Sequence, residues 1–376
     1  MSTPPLRGVK CLDLSRQLPG PFCSMLLADL GVDVLMISAP NDPLGIGIPL
    51  IQRNKRSMTL NLKTSQGREI FFRLAQEADI ILEGFRPGVT QRLGIDYETL
   101  SARNPRLIYC SISGYGQNGP YRNKVGHDLN YLGYAGVLGV SGGAGQPPTI
   151  MPVQVADIGG GALMATVGIL AALFARQQTG RGQFVDISML DGSVVWNVFH
   201  ILMFLVRGSQ PERGQTQLTG HYPCYSVYET KDGKFVTVGA LEPHFWANLC
   251  EKLGLREFIP DQFAEGERRE EMFAAFRRKF KEKSRDEWVR ELEEVDVCFG
   301  PVNDIAEALS DPQVLHRRVV EYQGDKLLLG CPIQLSETPA RRPQPPPSLG
   351  AHTEEVLTAL GFSSQAIANL RQDGVV

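Results

Sequence analysis

The sequence lacks an excess of charge of either sign. Its 376 residues carry 38 lysines and arginines against 41 aspartates and glutamates, which gives a formal net charge of -3. Without a basic field, the composition gives no indication of nucleic-acid or anionic-membrane binding. Hydrophobic residues make up 43% and charged residues 21% of the chain, so a disordered or fibrous protein is excluded.

Cysteine is sparse and irregularly placed. The seven cysteines are an odd number, lie far apart and form no CxxC pair, so we expect core thiols rather than a disulfide framework or a zinc site. The opening residues MSTPPLRGVK contain no hydrophobic signal region, and the final DGVV is not a peroxisomal address. These features predict a cytoplasmic protein.

Long hydrophobic runs are also missing. The most apolar stretches, 159–175 and 194–206, are shorter than the roughly 20 residues of a membrane span. Arg176, Asp191 and Arg207 flank them closely. We therefore expect two buried core helices and no membrane span.

Short apolar runs alternate with amphipathic segments along the first half of the chain. The patterns predict strands at 9–14, 32–37, 57–62, 80–82, 107–112 and 184–187. They predict helices at 21–29, 65–78 and 191–206, and others that start near 128 and 158. This alternation is typical of an α/β fold with an open parallel sheet.

A different pattern follows residue 207. Two strands at 224–229 and 234–240 flank Lys231-Asp232-Gly233, a hairpin signal, and charged helices follow near 243–253, 268–281 and 285–294. The proline-rich tract 339–347 precedes a last predicted helix at 353–360. We predict a large domain at 1–206, a linker at 207–221, a small α+β domain at 222–320, and a return segment at 321–376 that completes the large domain.

The segment 114–119 reads GYGQNG and matches the G-x-G-x-x-G pattern after a strand. A dinucleotide fingerprint needs a helix that starts inside the motif, whereas Pro120 and a polar loop follow here. We favour glycines that let a loop pass close to a ligand.

Basic residues follow two predicted strands. Arg53, Lys55, Arg56 and Lys63 lie within 51–63, and Arg86 with Arg92 follows the next strand. Each alone is typical of a solvated surface. Together, at strand ends of an α/β sheet, they could hold the phosphates of a small anionic ligand.

Four acidic or histidine residues have ordinary structural interpretations beside any functional one. Asp128 and Asp157 fit helix caps, His127 fits a structural histidine, and Glu242 fits a helix start favoured by the dipole. The three glycines after Ile158 would cost helix stability, so a close approach of backbone or ligand is needed to explain them.

Taken in order, these motifs resemble one family nearly end to end. The matching stretches are LPGPF (18–22), LADLG (27–31), NKRS (54–57), GFRPG (84–88), SGYGQ (113–117), GHDLNY (126–131), AD (156–157), 239–245 and 350–357. The sequence resembles the family III CoA-transferase fold and, within it, the α-methylacyl-CoA racemase branch. The resemblance implies a Rossmann-like large domain with an open parallel sheet, a smaller α+β domain, and an interlocked homodimer whose active site is shared between chains.

The resemblance also implies roles for individual residues. His127 matches the racemase histidine, Asp157 the aspartate that transferases use as nucleophile, and Glu242 a glutamate supplied by the partner's small domain. The implied CoA-binding residues are Lys55, Arg56, Leu60, Asn61, Lys63, Arg86, Arg92 and Tyr131. Two positions depart from the pattern: Ala39 stands where relatives often place a charged residue near the coenzyme, and Asn61 where many have aspartate.

Inverting the α-carbon of an acyl-CoA thioester requires a base on one face, an acid on the other, and a donor for the enolate oxygen. We expect His127 and Asp157 to be the two proton carriers and Glu242 to orient His127. The resemblance implies that His127 serves the S face and Asp157 the R face. The backbone N–H of Asp128, beside Gly126, is the expected enolate donor. This scheme needs no metal or cofactor, since CoA is part of the substrate.

Two other functions stay open at this point. In a CoA-transferase, Asp157 would attack the thioester and form an acyl anhydride. A catalytically silent CoA-binding or scaffold protein would keep the same motifs without turnover.

Overall fold

The computed structural model describes residues 3–376, and these divide into two compact units. The first contains the described residues up to Ala135 together with Met151–Val198 and Pro312–Val376. The second contains Gly136–Ile150 and Phe199–Asp311. Each unit is therefore built from segments that are distant in sequence.

The strands are β1 Lys10–Asp13, β2 Asp33–Ser38, β3 Arg56–Thr59, β4 Ile80–Glu83, β5 Ile108–Ser113, β6 Phe184–Ser188, β7 Tyr225–Glu229, β8 Phe235–Gly239, β9 Phe299–Pro301, β10 Val320–Gln323 and β11 Lys326–Leu329. The helices are α1 Pro19–Asp29, α2 Ser65–Glu77, α3 Val89–Leu93, α4 Tyr97–Ser101, α5 Asp128–Tyr134, α6 Val137–Val140, α7 Met164–Thr179, α8 Met189–Trp196, α9 Val198–Arg207, α10 Pro243–Leu253, α11 Gly266–Phe280, α12 Arg285–Leu292, α13 Ile305–Ser310, α14 Pro312–His316, α15 Thr353–Ala359 and α16 Ser364–Gln372. A π-helical segment, Ala156–Leu163, leads into α7.

A six-stranded parallel sheet forms the centre of the first unit. Its strand order is β3-β2-β1-β4-β5-β6. The chain adds β2 and β3 on one side of β1 and then adds β4, β5 and β6 on the other side, so the order reverses between the neighbours β1 and β4. The central strands are continuous apolar runs, as in Ile80-Ile81-Leu82, because helices cover both faces of a parallel sheet. The α/β class with an open parallel sheet is confirmed, and ligands of such sheets bind at the carboxyl ends beside the reversal.

The last part of the chain packs against the edge strand β3. The Thr59 N–H donates to Thr353 Oγ1 at 3.0 Å, and the Asn61 N–H donates to the Val375 carbonyl at 2.8 Å. The predicted helix at 353–360 corresponds to α15, but it is not the last one. We missed α16, whose signals are the Ser363 N-cap and the buried Ile367 and Leu370 one turn apart.

The second unit pairs the antiparallel sheet β7-β8-β9 with helices α10, α11 and α12. Its core contains Trp246 and Phe276, stacked with ring centroids 5.0 Å apart, and the buried Trp288. Both indole N–H groups are satisfied, since Trp246 donates to the Phe258 carbonyl and Trp288 to the Phe280 carbonyl. The hairpin around Lys231-Asp232-Gly233 is present as β7-β8.

The unit boundaries differ from the predicted domain boundaries at three places. Residues 199–206, predicted in the large domain, group with the second unit. Residues 136–150 were assigned to the large domain but group with the second unit, because Arg213 donates to the carbonyls of Gly139 and Gln146. The same hydrogen bonds hold the predicted linker 207–221 against residues 136–150, so this segment is part of the second unit. Residues 312–320, predicted in the small domain, group with the first unit.

The two apolar stretches differ in burial. The helical run Ala156–Thr179 is long and apolar enough to cross a membrane, but half of its apolar window is buried within the protein, as in a core helix. The prediction of one buried helix at 191–206 is wrong. The segment breaks into α8 and α9, bent by 57°, and Leu205 and Val206 are exposed.

The three glycines of the π-helical segment permit α8 and α1 to pack closely against it. A Cβ on Gly160 would meet the Met189 carbonyl oxygen at 2.6 Å, and one on Gly159 would meet the Trp196 ring at 3.3 Å. A Cβ on Gly161 would meet Met189 at 3.0 Å and Pro19 at 3.2 Å. The close approach expected from the sequence is therefore an approach of α8 and α1, not of a ligand.

This packing predicts the effect of adding one methyl group. Gly160→Ala should lower the free energy of unfolding by about 1–3 kcal/mol, because its Cβ meets backbone that cannot move independently. Gly139→Ala is the matched control, since nothing lies within 4 Å of its Cβ, and it should be neutral or stabilising. Urea denaturation of both variants measures the difference, and equal stabilities would contradict this account.

Candidate active site

The carboxylate of Asp128 joins the two segments that carry His127 and Asp157. Its Oδ1 accepts hydrogen bonds from the N–H groups of Ala156 at 2.7 Å and of Asp157 at 3.0 Å. These are orphan donors at a helix start, which a side-chain oxygen commonly satisfies. The start of the π-helical segment is thereby fixed against the first turn of α5.

Both predicted helix caps are therefore wrong in detail. Asp128 is the first residue of α5 and His127 is its N-cap, with the His127 N–H donating to Asn130 Oδ1 at 3.0 Å. Asp157 lies inside the π-helical segment, whose first N–H groups are capped by Asp128 from another helix. The His127 side chain is exposed in the single chain, so it is available to a ligand or to a partner.

The pKa of Asp157 is raised to about 6, mainly by burial and also by the negative charge of Asp128, while His127 acts in the opposite direction. The carboxyl is half-buried and has no cation bonded to it among the described residues, so no ion pair offsets the cost of burying its charge. A carboxyl that titrates near neutrality beside an imidazole is suited to proton transfer in either direction.

A tyrosine holds the loop before His127. The Tyr131 hydroxyl donates a hydrogen bond to the Gly126 carbonyl at 2.5 Å. The pKa of Tyr131 is raised to about 12, mainly by burial and also by the negative charge of Asp157. Its ring occupies the space where a Cβ on Gly114 or Gly126 would lie, within 2.5 and 2.8 Å. The glycine-rich loop therefore approaches a side chain of its own unit. Tyr131 has a positioning task that is separate from the CoA contact predicted for it.

The electrostatics predict opposite effects for two substitutions. Asp128→Asn keeps the accepting Oδ1 but removes a negative charge, so the pKa of Asp157 should fall from about 6. His127→Gln removes a positive charge, so the same pKa should rise. Titration of ¹³C-labelled aspartate carboxyls by NMR measures both, with Asp157→Asn to assign the signal. Shifts of the same sign in the two variants would contradict the geometry.

A cavity of about 580 Å³ lies at the carboxyl ends of the central strands. It is bordered by Leu14 after β1, Ser38 at the end of β2, Leu60 after β3 and Phe85 after β4. This is the edge, beside the β1/β4 reversal, where open parallel sheets bind ligands. Four predicted CoA-binding residues line the cavity: Leu60, Asn61, Lys63 and Arg92.

The other predicted coenzyme residues do not line this cavity. Arg86 is exposed on the loop that follows β4. Lys55 is buried, and its Nζ donates to the Pro21 carbonyl at 2.8 Å and to Gln52 Oε1 at 2.7 Å. Arg56 is the first residue of β3, so it lies at the amino ends of the strands, away from the cavity. It pairs with Asp33 at 2.8 Å and with Glu355 at 3.0 Å. The donors of Lys55 and Arg56 are already engaged by protein acceptors, so we do not expect these two residues to bind the coenzyme.

Two charged residues of the cavity wall were missed. Arg16 and Asp42 lie on its wall and form an ion pair of 2.9 Å. Arg16 comes three residues after β1, the same strand-end position that drew attention to Arg86, and could have been found by that signal. Asp42 lies in an irregular loop with no local pattern.

Glu242 belongs to the second unit, where it is the residue before α10. Its side chain is exposed and does not bond the amides of the helix, so a simple capping role is not what the structure shows. Within residues 3–376, no group of three or more histidine, cysteine, aspartate or glutamate side chains could hold a metal ion.

Comparison with known proteins agrees with this architecture. The chain matches the sequence model of CoA-transferase family III over residues 6–353. It is 40% identical over 379 residues to the α-methylacyl-CoA racemase of Mus musculus, covering 99% of this chain and 97% of the relative. It is 31% identical over 396 residues to the human succinyl-CoA:glutarate CoA-transferase, covering 99% of this chain and 90% of the relative.

Among solved structures, a CAIB/BAIF family protein from Brucella suis superposes with a TM-score of 0.83 at 30% identity, covering 96% of this chain and all of that one. The chain belongs to CoA-transferase family III and is an enzyme of that family. The family resemblance stated from the sequence is confirmed.

Proposed function

We propose that the protein is a racemase (epimerase) that inverts the α-carbon of 2-methylacyl-CoA thioesters. The observation that carries the proposal is the pair of His127 and Asp157, tied together through Asp128, with the pKa of Asp157 raised to about 6 by burial. Similarity to the mouse racemase supports the same assignment.

The reaction transfers protons on two faces of one carbon. Neutral His127 removes the α-proton of the S epimer, and the C–H electron pair moves into the thioester as an enolate. Protonated Asp157 then delivers its proton to the opposite face, which leaves His127 as the cation and Asp157 as the carboxylate. The reverse direction starts from that second state. In both starting states His127 and Asp157 share one proton. Activity should therefore fall at low pH, where both are protonated, and at high pH, where neither is.

Negative charge on the enolate oxygen needs a donor. The first turn of α5 leaves the Asp128 N–H without a protein acceptor in the described part of the chain, beside Gly126. We assign the enolate contact to this N–H. Lys63 and Arg92, with Arg86 nearby in sequence, would bind the coenzyme phosphates at the cavity, with Leu60 and Asn61 on its wall. The scheme uses no cofactor beyond the CoA of the substrate.

The proposal includes a homodimer in which Glu242 of the partner subunit accepts a hydrogen bond from His127. Such a bond would fix the imidazole tautomer and stabilise its cation. Two observations support it: Glu242 is exposed and uncommitted, and large apolar side chains on and beside α8 and α9 are exposed, among them Val195, Trp196, Leu205 and Val206.

A CoA-transferase is the second candidate, supported by similarity to the succinyl-CoA:glutarate enzyme. Asp157 would attack the thioester carbonyl, expel the CoA thiolate and form a mixed anhydride. The raised pKa of Asp157 disfavours this path, because a partly protonated carboxyl is a weaker nucleophile. His127 also has no task in it.

Exchange of the α-proton tests the racemase directly. In deuterated water, the wild type should exchange the α-proton of both (R)- and (S)-2-methylacyl-CoA, followed by mass spectrometry. His127→Ala and Asp157→Asn should each slow racemisation at least about 100-fold, because each removes one proton carrier. His316→Ala, a histidine outside the site, is the control and should be unchanged. Hydroxylamine trapping of an Asp157 anhydride without α-exchange would instead establish the transferase.

Complementation tests the shared site. His127→Ala and Glu242→Ala should each be inactive or severely impaired alone. Co-expressed, they should recover about a quarter of wild-type activity, because half of randomly formed dimers are mixed and each mixed dimer has one intact site. Co-expression of His127→Ala with Asp157→Asn tests two residues of one unit. Recovery there, or none in the first pair, would contradict the proposed sharing of Glu242.

A further inference from the structure

The cavity at the sheet edge has three basic side chains and one acidic side chain on its wall. Lys63 and Arg92 pair with no carboxylate within residues 3–376, whereas Arg16 pairs with Asp42. The wall also contains Ala39, the residue after β2, which offers only a methyl group. The cavity therefore has an excess of positive charge that an anionic ligand would neutralise.

Arg16 is held by a carboxylate that cannot move easily. Asp42 has a side chain only 2% exposed, and its Oδ1 accepts the Leu44 N–H at 3.1 Å while its Oδ2 accepts from Arg16 at 2.9 Å. The Arg16 side chain is 46% exposed. A guanidinium has five donor hydrogens in a rigid fork, so one bond to Asp42 fixes its direction and leaves donors for a second oxyanion.

The loops that carry Arg16 and Asp42 are anchored to one buried ammonium. Lys55 Nζ contacts the Pro21 carbonyl and Gln52 Oε1, and lies 3.9 Å from Asp13 Oδ2. Asp13 in turn accepts the Ser15 N–H at 2.9 Å, next to Arg16. Gln52 Nε2 donates to the Ile46 carbonyl at 2.8 Å, in the turn that follows Asp42. Both partners of the ion pair are thus set on rigid backbone.

We propose that Arg16 binds a phosphate of the CoA nucleotide, a contact that the methyl group of Ala39 cannot make on the same wall. The proposal rests on the proposed function only in taking a CoA thioester as the substrate. Arg16 then acts in coenzyme affinity and takes no part in proton transfer. Asp42 is the residue that keeps its guanidinium extended along the cavity wall.

Calorimetric titration with CoA and with pantetheine, which lacks the nucleotide and its phosphates, tests the contact. Arg16→Ala should weaken CoA binding about tenfold or more, as expected for a charge-assisted hydrogen bond, and should leave pantetheine binding unchanged. Arg7→Ala, an exposed arginine outside the cavity, is the matched control and should bind both as the wild type does. Arg16→Gln, which retains a bond to Asp42 without the charge, should resemble Arg16→Ala.

Two results would overturn the proposal. One is CoA binding by Arg16→Gln that equals the wild type. The other is a loss of pantetheine binding as large as that of CoA, which would mean that the substitution disturbs the fold of the wall. Failure of the proposed racemase activity is a separate result: α-proton exchange would be absent while CoA still binds in an Arg16-dependent manner.

Discussion

One carboxylate oxygen organises the site. Asp128 Oδ1 accepts two backbone N–H groups at the start of the π-helical segment, and its own residue follows His127 directly. The same charge that fixes the two segments also raises the pKa of Asp157. Geometry and acidity are therefore coupled through a single side chain. Removing its oxygens would leave the buried Ala156 N–H without a partner, which is costly in a protein interior.

The π-helical segment shows how packing selects an uncommon backbone. A π-helix is intrinsically less favourable than an α-helix and is found most often at functional sites. Here Gly159, Gly160 and Gly161 allow α8 and α1 to approach its backbone within van der Waals distance. Asp157 thereby sits in the first turn of a segment whose next residues pack closely against Trp196 and Met189 of α8 and against Pro19 of α1.

The sequence was sufficient for the parallel sheet, because continuous apolar strands are a local signal. The roles of His127, Asp157 and Glu242 rest on short motifs and stay a prediction. The sequence was insufficient where partners are distant. Lys55 and Arg56 are adjacent, yet one is buried against Pro21 and the other pairs with Glu355, 299 positions away. Neither environment can be read from the basic run itself. The break between α8 and α9 was missed because the local signal itself misleads: apolar residues continue through the break, so the sequence indicates one helix.

The first unit is interrupted twice, by 136–150 and by 199–311, before its last segment rejoins it. Thr59 and Thr353 are hydrogen-bonded although 294 residues separate them. During translation, β3 therefore emerges long before α15 exists to cover it, whereas most of the second unit is one contiguous stretch that can fold as it appears. Such long-range closure is slow. Until it occurs, the backbone N–H groups of Thr59 and Asn61 at this edge lack the acceptors that the last segment supplies.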